Sequence, residues 1–239
     1  MSAALALQIS TDGGGSVSAL LSQPDEPRAA CVLAHGAGAG MSHPFMSAVA
    51  SGLAERGVAA LRFQFPFMER GSKRADPPRI AQACVRAAVA TAAARLPCVP
   101  LFAGGKSFGG RMTSQADAAT PLVGVEGLFF IGFPLHPPGA PAIERATHLT
   151  QVTRPMLFLQ GTRDELAELP LVTSVVAGLG ERATLVIVND ADHAFHVRAK
   201  SGRRDPEVLA TMLDALVTWM ARIVAGSRAE AARDGTAPG

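Results

Sequence analysis

Gly105-Lys106-Ser107-Phe108-Gly109 sets a serine between glycines two positions to either side, the spacing of a nucleophile carried on a tight strand-to-helix turn. A serine hydroxyl becomes a useful nucleophile only beside a base, and the base needs an acid to hold its tautomer. Asp164, just past the apolar run Met156 to Leu159, and His193, in the acidic stretch Asn189 to His196, follow Ser107 in that order along the chain. Nucleophile, acid, histidine is the order of a triad built on an open α/β sheet. The chemistry these three side chains could do is acyl transfer, with His193 taking the Ser107 proton and Asp164 orienting the imidazole. His196 is a rival base three residues on, and His193 is preferred because it directly follows the acidic run. Asp164 has an alternative use as a cap for the helix ahead of it.

Acyl transfer also needs donors for a developing oxyanion. The amide of Phe108, next after the serine, is one candidate. Ala37 and Gly38 are the others, in the loop His35-Gly36-Ala37-Gly38-Ala39-Gly40-Met41 that leaves the apolar run Ala29 to Ala34. Small residues let backbone amides approach a ligand closely, although a plain Gly-rich turn has the same composition. Neither phosphate-loop spacing is met. Four further residues are candidates for substrate contact: His35 beside the loop, Phe65 in Gln64 to Gly71, Lys106 inside the elbow, and His136 in the loop from Gly132 to about Gln151. The Phe65 segment either lines an acyl pocket or plugs the end of the sheet. The loop containing His136 is the longest irregular segment and the nearest thing to a lid. Lys106, with Arg70, Lys73, Arg74 and Arg111, could place positive charge at the pocket mouth and favour acyl substrates that carry an anion.

These residues must be positioned by the elements around them. Leu5 to Ile9 and Val17 to Leu21 read as an antiparallel pair about a Gly-rich turn. Strand-length apolar runs at Ala29 to Ala34, Val58 to Phe63, Val99 to Ala103, Gly124 to Ile131, Met156 to Leu159 and Thr184 to Val188 alternate with helical stretches. The helices are Pro44 to Arg56, Ile80 to Leu96, Met112 to Ala119, Leu169 to Leu179 and Pro206 to Val224. That alternation predicts a mostly parallel sheet with helices on both faces, and every chemistry-bearing loop follows a strand, so the loops gather at one sheet edge. Residues 1–225 are expected to form a single α/β domain with minimal or no cap, and residues 226–239 a disordered tail.

Of the 239 residues 48% are hydrophobic and 18% charged, which suits one packed core and argues against disorder. A net charge of +2 with scattered basic residues excludes a clustered nucleic-acid footprint. Cys31, Cys84 and Cys98 are an odd number without C-x-x-C spacing, indicating neither a disulfide framework nor a metal site. No signal peptide and no membrane span are read in the chain, so a cytoplasmic location and a small-molecule acyl partner are expected, with a homodimer left open.

Beyond the elbow, the chain resembles the α/β-hydrolase-like family of the testis-expressed hydrolase-like protein and the NSL histone-acetyltransferase complex subunit. The similarity lies in the 35–41 loop, in Arg62-Phe63-Gln64-Phe65-Pro66-Phe67-Met68, and in Gly104-Gly105-Lys106-Ser107-Phe108-Gly109-Gly110-Arg111. It continues through Pro134-Leu135-His136-Pro137-Pro138-Gly139, Leu159-Gln160-Gly161-Thr162-Arg163-Asp164 and Asp190-Ala191-Asp192-His193-Ala194-Phe195. More distantly the chain is similar to dienelactone hydrolases, whose nucleophile is Cys, and Ser107 departs from that pattern. The resemblance implies the α/β-hydrolase fold, the triad Ser107, Asp164 and His193, and no cofactor. Because some relatives serve as parts of assemblies, a non-catalytic interaction module on the same fold is the alternative function.

Overall fold

A computed structural model describes residues 4–11 and 15–233. β1 (Leu5–Thr11) and β2 (Gly15–Ser22) pair antiparallel, as the flanking sequence predicts, and their connecting turn at 12–14 lies outside the described residues. β3 (Ala29–Ala34), β4 (Val58–Phe63), β5 (Leu101–Lys106), β6 (Val125–Ile131), β7 (Met156–Gly161) and β8 (Ala183–Val188) complete one sheet in the order β1-β2-β4-β3-β5-β6-β7-β8. The last six strands in sequence run parallel to one another. All six residues of β3, of β4 and of β7 are buried, which is why those strands read as unbroken apolar runs rather than as alternating ones.

Alternate residues along the central strands feed two separate cores. Ala30, Val32 and Ala34 of β3 face α3 (Pro78–Arg95) and α4 (Phe108–Ala119), whereas Cys31 and Leu33 face α1 (Pro44–Glu55) and the final helix, α6 (Asp205–Arg233). Two shorter helices, α2 (Pro66–Glu69) and α5 (Leu169–Gly178), complete the helical set with three 3₁₀ segments among the described residues. Trp219 of α6 packs against Phe102 of β5 with ring centroids 5.5 Å apart, fixing the long helix across the middle of the sheet.

Two boundaries differ from the sequence reading, each for a physical reason. α4 begins at Phe108, directly after the serine, because Gly109 and Gly110 are helical here despite their poor propensity. α6 runs on to Arg233, since the Ala, Arg and Glu residues read as a tail are strong helix formers; residues 234–239 lie outside the described residues. Asp205–Ala229 also has the length and mean hydropathy, 1.6, of a membrane span, contrary to expectation. Part of that apolar content is accounted for by core packing through Val208, Met212, Leu216 and Met220.

The chain passes from β3 to β4 on one side and then to β5 on the other. Strand order therefore reverses at β3, and the carboxyl ends of β3 and β5 open a crevice there, the place where ligands bind in open α/β sheets.

Candidate active site

Ser107 links β5 to α4 with φ 51° and ψ −116°, a backbone region that non-glycine residues enter only when the surroundings force them. The surroundings here are β3. A Cβ on Gly105 would lie 2.2 Å from the Ala34 carbonyl oxygen, and one on Gly109 would lie 2.5 Å from the same atom. The two glycines thus let the elbow sit against β3, and the turn lifts the serine side chain above the sheet edge.

His193 reaches Ser107 from the loop after β8. Its Nε2 is 2.9 Å from Ser107 Oγ, and its Nδ1 is 2.7 Å from Asp164 Oδ2. A carboxylate only accepts, so Nδ1 carries the proton and Nε2 is left to accept from the serine hydroxyl. The loop is stiffened around the histidine, because Asp192 Oδ1 accepts from the amides of Ala194 and His196. His196, the rival base, points elsewhere and pairs with Asp205 at 2.7 Å on the surface.

Asp164 is buried, 3% exposed, and each of its oxygens is satisfied. Oδ1 accepts from the Leu166 amide at 2.8 Å; Oδ2 accepts from Gln160 Nε2 at 2.5 Å as well as from His193. Gln160 is a contact of the candidate acid that the sequence reading missed. It is fully buried, and its Oε1 also accepts from the Phe133 amide at 3.1 Å, so it ties the acid to the loop after β6. A polar residue ending an apolar strand run was the available signal.

Lys106 lies beneath this chain of bonds. Its ammonium donates to the His193 carbonyl at 2.5 Å and sits 5.5 Å from the centre of the Phe195 ring. Burial pulls its pKa down to about 8, against the opposing pull of Asp164 and Asp192. The expected belt of positive charge does not form around it. Arg70 pairs with Asp76 at 2.5 Å and, with Arg74, lines a separate depression, and Arg111 packs against Phe108.

A cavity of about 370 Å³ opens over Ser107 and His193. Lys106 and His43 apart, its walls are largely apolar: Ala37, Ala39, Phe45, Met46, Leu166 and Ala194. Ala37 and Gly38 line it as expected, and Gly36 lies beside the serine, where a Cβ would make ordinary contact with the Ser107 Cβ at 3.8 Å. Phe108 is the first residue of α4, so its N–H has no intrahelical acceptor and is available at the serine.

Three of the four expected substrate contacts are elsewhere. His35 is fully buried, where its Nδ1–H donates to the Gly36 carbonyl at 2.8 Å and its Nε2 accepts from the Phe65 amide at 3.0 Å. Burial lowers its pKa, consistent with the neutral ring those two bonds require, and its role is to staple the glycine loop to the segment after β4. Phe65 is fully buried and packs on Phe63, Phe108 and His35, so this segment plugs the sheet end rather than lining the pocket. His136 is 1% exposed and bonds the Pro137 carbonyl at 2.9 Å. The loop expected as a lid packs on α4 instead, through a 2.8 Å bond between Ser114 and His148. Phe45, Met46 and Leu166 take the lining positions, and nothing in their local sequence distinguishes them from core residues.

Solved structures share this architecture. An α/β serine hydrolase homologue from Coxiella burnetii superposes with TM-score 0.72 at 20% identity, covering 91% of this chain and 98% of that one. A lidless α/β serine hydrolase from Xanthomonas campestris gives 0.72 at 22% over 92% and 96%. A dienelactone hydrolase from Anabaena variabilis gives 0.73 at 20% over 92% and 97%. Identities this low speak for the fold. Residues 27–221 match the family described as alpha/beta hydrolase domain, and on that match the chain belongs to the α/β hydrolases.

Proposed function

We propose that the protein is a serine hydrolase acting by acyl transfer, a carboxylesterase or thioesterase on small acyl substrates. The observation that carries this reading is the continuous line from Ser107 Oγ through both nitrogens of His193 to Asp164, at 2.9 and 2.7 Å, on an elbow held in strained geometry.

In this reading Ser107 Oγ attacks the carbonyl carbon while its proton passes to His193 Nε2. Asp164 stabilises the imidazolium, and the amides of Phe108 and of the Ala37–Gly38 turn stabilise the oxyanion. The imidazolium then protonates the leaving alkoxide or thiolate, leaving an acyl-serine. Water, deprotonated by the same histidine, attacks that ester and restores the enzyme. The mostly apolar walls fit a neutral acyl group better than an anionic one, and among the described residues no metal-binding cluster of His, Cys, Asp and Glu occurs. The motifs around Ser107 and His136 support a finer reading, in which the chain is related, within the α/β hydrolases, to the group of the testis-expressed and NSL-complex proteins.

Hydrolysis of p-nitrophenyl acetate and butyrate tests the reading. Ser107→Ala and His193→Ala are each expected to lower kcat on the order of 10³-fold or more. Turnover in Ser107→Ala equal to that of the native protein would contradict it.

A further inference from the structure

The opposite edge of the sheet holds a second cavity, of about 390 Å³, between the amino ends of β3, β4 and β5 and the later turns of α6. That volume falls in the range of small-molecule sites. It is remote from the serine, because Pro100 lies before β5 and Ser107 after it, a separation of about 20 Å at roughly 3.3 Å per strand residue.

The lining divides by chemistry. Val58, Met220 and Val224 belong to an apolar part, while Arg28, Arg228 and the Cys98 thiol supply polar atoms. A third arginine, Arg56, is neutralised by Asp214 at 2.7 Å. Arg28 donates to the Arg56 carbonyl at 3.0 Å, and among the described residues neither it nor Arg228 has a carboxylate partner. Two guanidiniums without counter-charge, at an apolar cavity, complement a molecule with an anionic head and a hydrocarbon tail. Guanidinium forks bind carboxylates two bonds at a time. A sugar or a nucleotide base would find few polar partners among the valines and methionine.

We infer that this cavity binds a carboxylate bearing an apolar chain of medium length. The site does not depend on Ser107 chemistry, so it stands or falls apart from the proposed function.

Cys98 provides a local readout. It is exposed, whereas Cys31 and Cys84 are buried with thiols pushed up to about 12, so they resist alkylation while the fold holds. The rate of Cys98 alkylation by iodoacetamide is followed by peptide mass spectrometry, with decanoate below its micelle concentration or with decanol. Decanoate is expected to slow the reaction about tenfold once it stands roughly tenfold above its dissociation constant, with decanol much less effective. Arg28→Gln with Arg228→Gln, both at the surface, should abolish the protection without moving Tm. An unchanged rate with decanoate, equal protection by decanol, or protection surviving in the double variant would each overturn the assignment. Protection that grows with protein concentration alone would assign the cavity to a second copy of the chain, and would overturn it too.

Discussion

At the scale of single residues, the site depends on how firmly one imidazole is held. His193 has three attachments: Asp164 on Nδ1, Ser107 on Nε2, and Lys106 on its own backbone carbonyl. The third is unusual because the lysine belongs to the same elbow as the serine, so the proposed nucleophile and base are fixed to one turn. Lys106→Met keeps the aliphatic packing and removes the donor. A loosened base weakens the transition state more than it weakens substrate binding, so kcat should fall on the order of tenfold while KM stays about the same. Steady-state kinetics on a neutral ester separates the two. A rise in KM at unchanged kcat would instead make Lys106 a substrate contact.

At the scale of elements, the elbow is a packing problem between β5, α4 and β3. The carbonyl of Ala34 stands where a side chain at Gly105 or Gly109 would go, and both conflicts are with backbone that cannot swing aside. Gly105→Ala is therefore expected to cost more than about 3 kcal/mol, at or beyond the upper end of ordinary overpacking, as read from urea unfolding. A variant as stable as the native protein would show that β3 can retreat. The same glycines explain what the sequence makes legible. Their spacing about Ser107 exposes the elbow, and the buried strands announce themselves as apolar runs. Yet glycines at Gly109 and Gly110 also hide the first turn of α4, because their reason for being there lies on another strand. Phe65, His35 and His136 look like pocket residues and are buried ones, since whether an aromatic faces a cavity or a core is decided by contacts distant in sequence. Phe45 and Met46 enter the pocket only because the glycine loop turns α1 back over Ser107, a path that no local pattern encodes.

At the scale of the whole molecule, the sheet divides two cores and carries a cavity at each edge, with the proposed catalytic groups at the carboxyl edge. Acid stability is set partly by the contact that seats the 132–151 loop on α4. Burial, and secondarily the charge of Arg111, lowers the His148 pKa to about 4. In the unfolded chain that imidazole binds a proton below about 6.5. Between 6.5 and 4 the unfolded state holds the extra proton, so stability falls as pH drops through that window and changes little from this source outside it. Buried His35 shifts in the same direction. Urea midpoints should decline from pH 6.5 to 4, and His148→Gln should show a shallower decline; equal slopes would remove His148 from the account. The most direct test of the central claim is intact-mass and peptide mass spectrometry after exposure to a fluorophosphonate. A single adduct on Ser107, formed by the native protein and lost in His193→Ala, is the predicted result. A folded native protein that takes no adduct, or takes one at another serine, would contradict it.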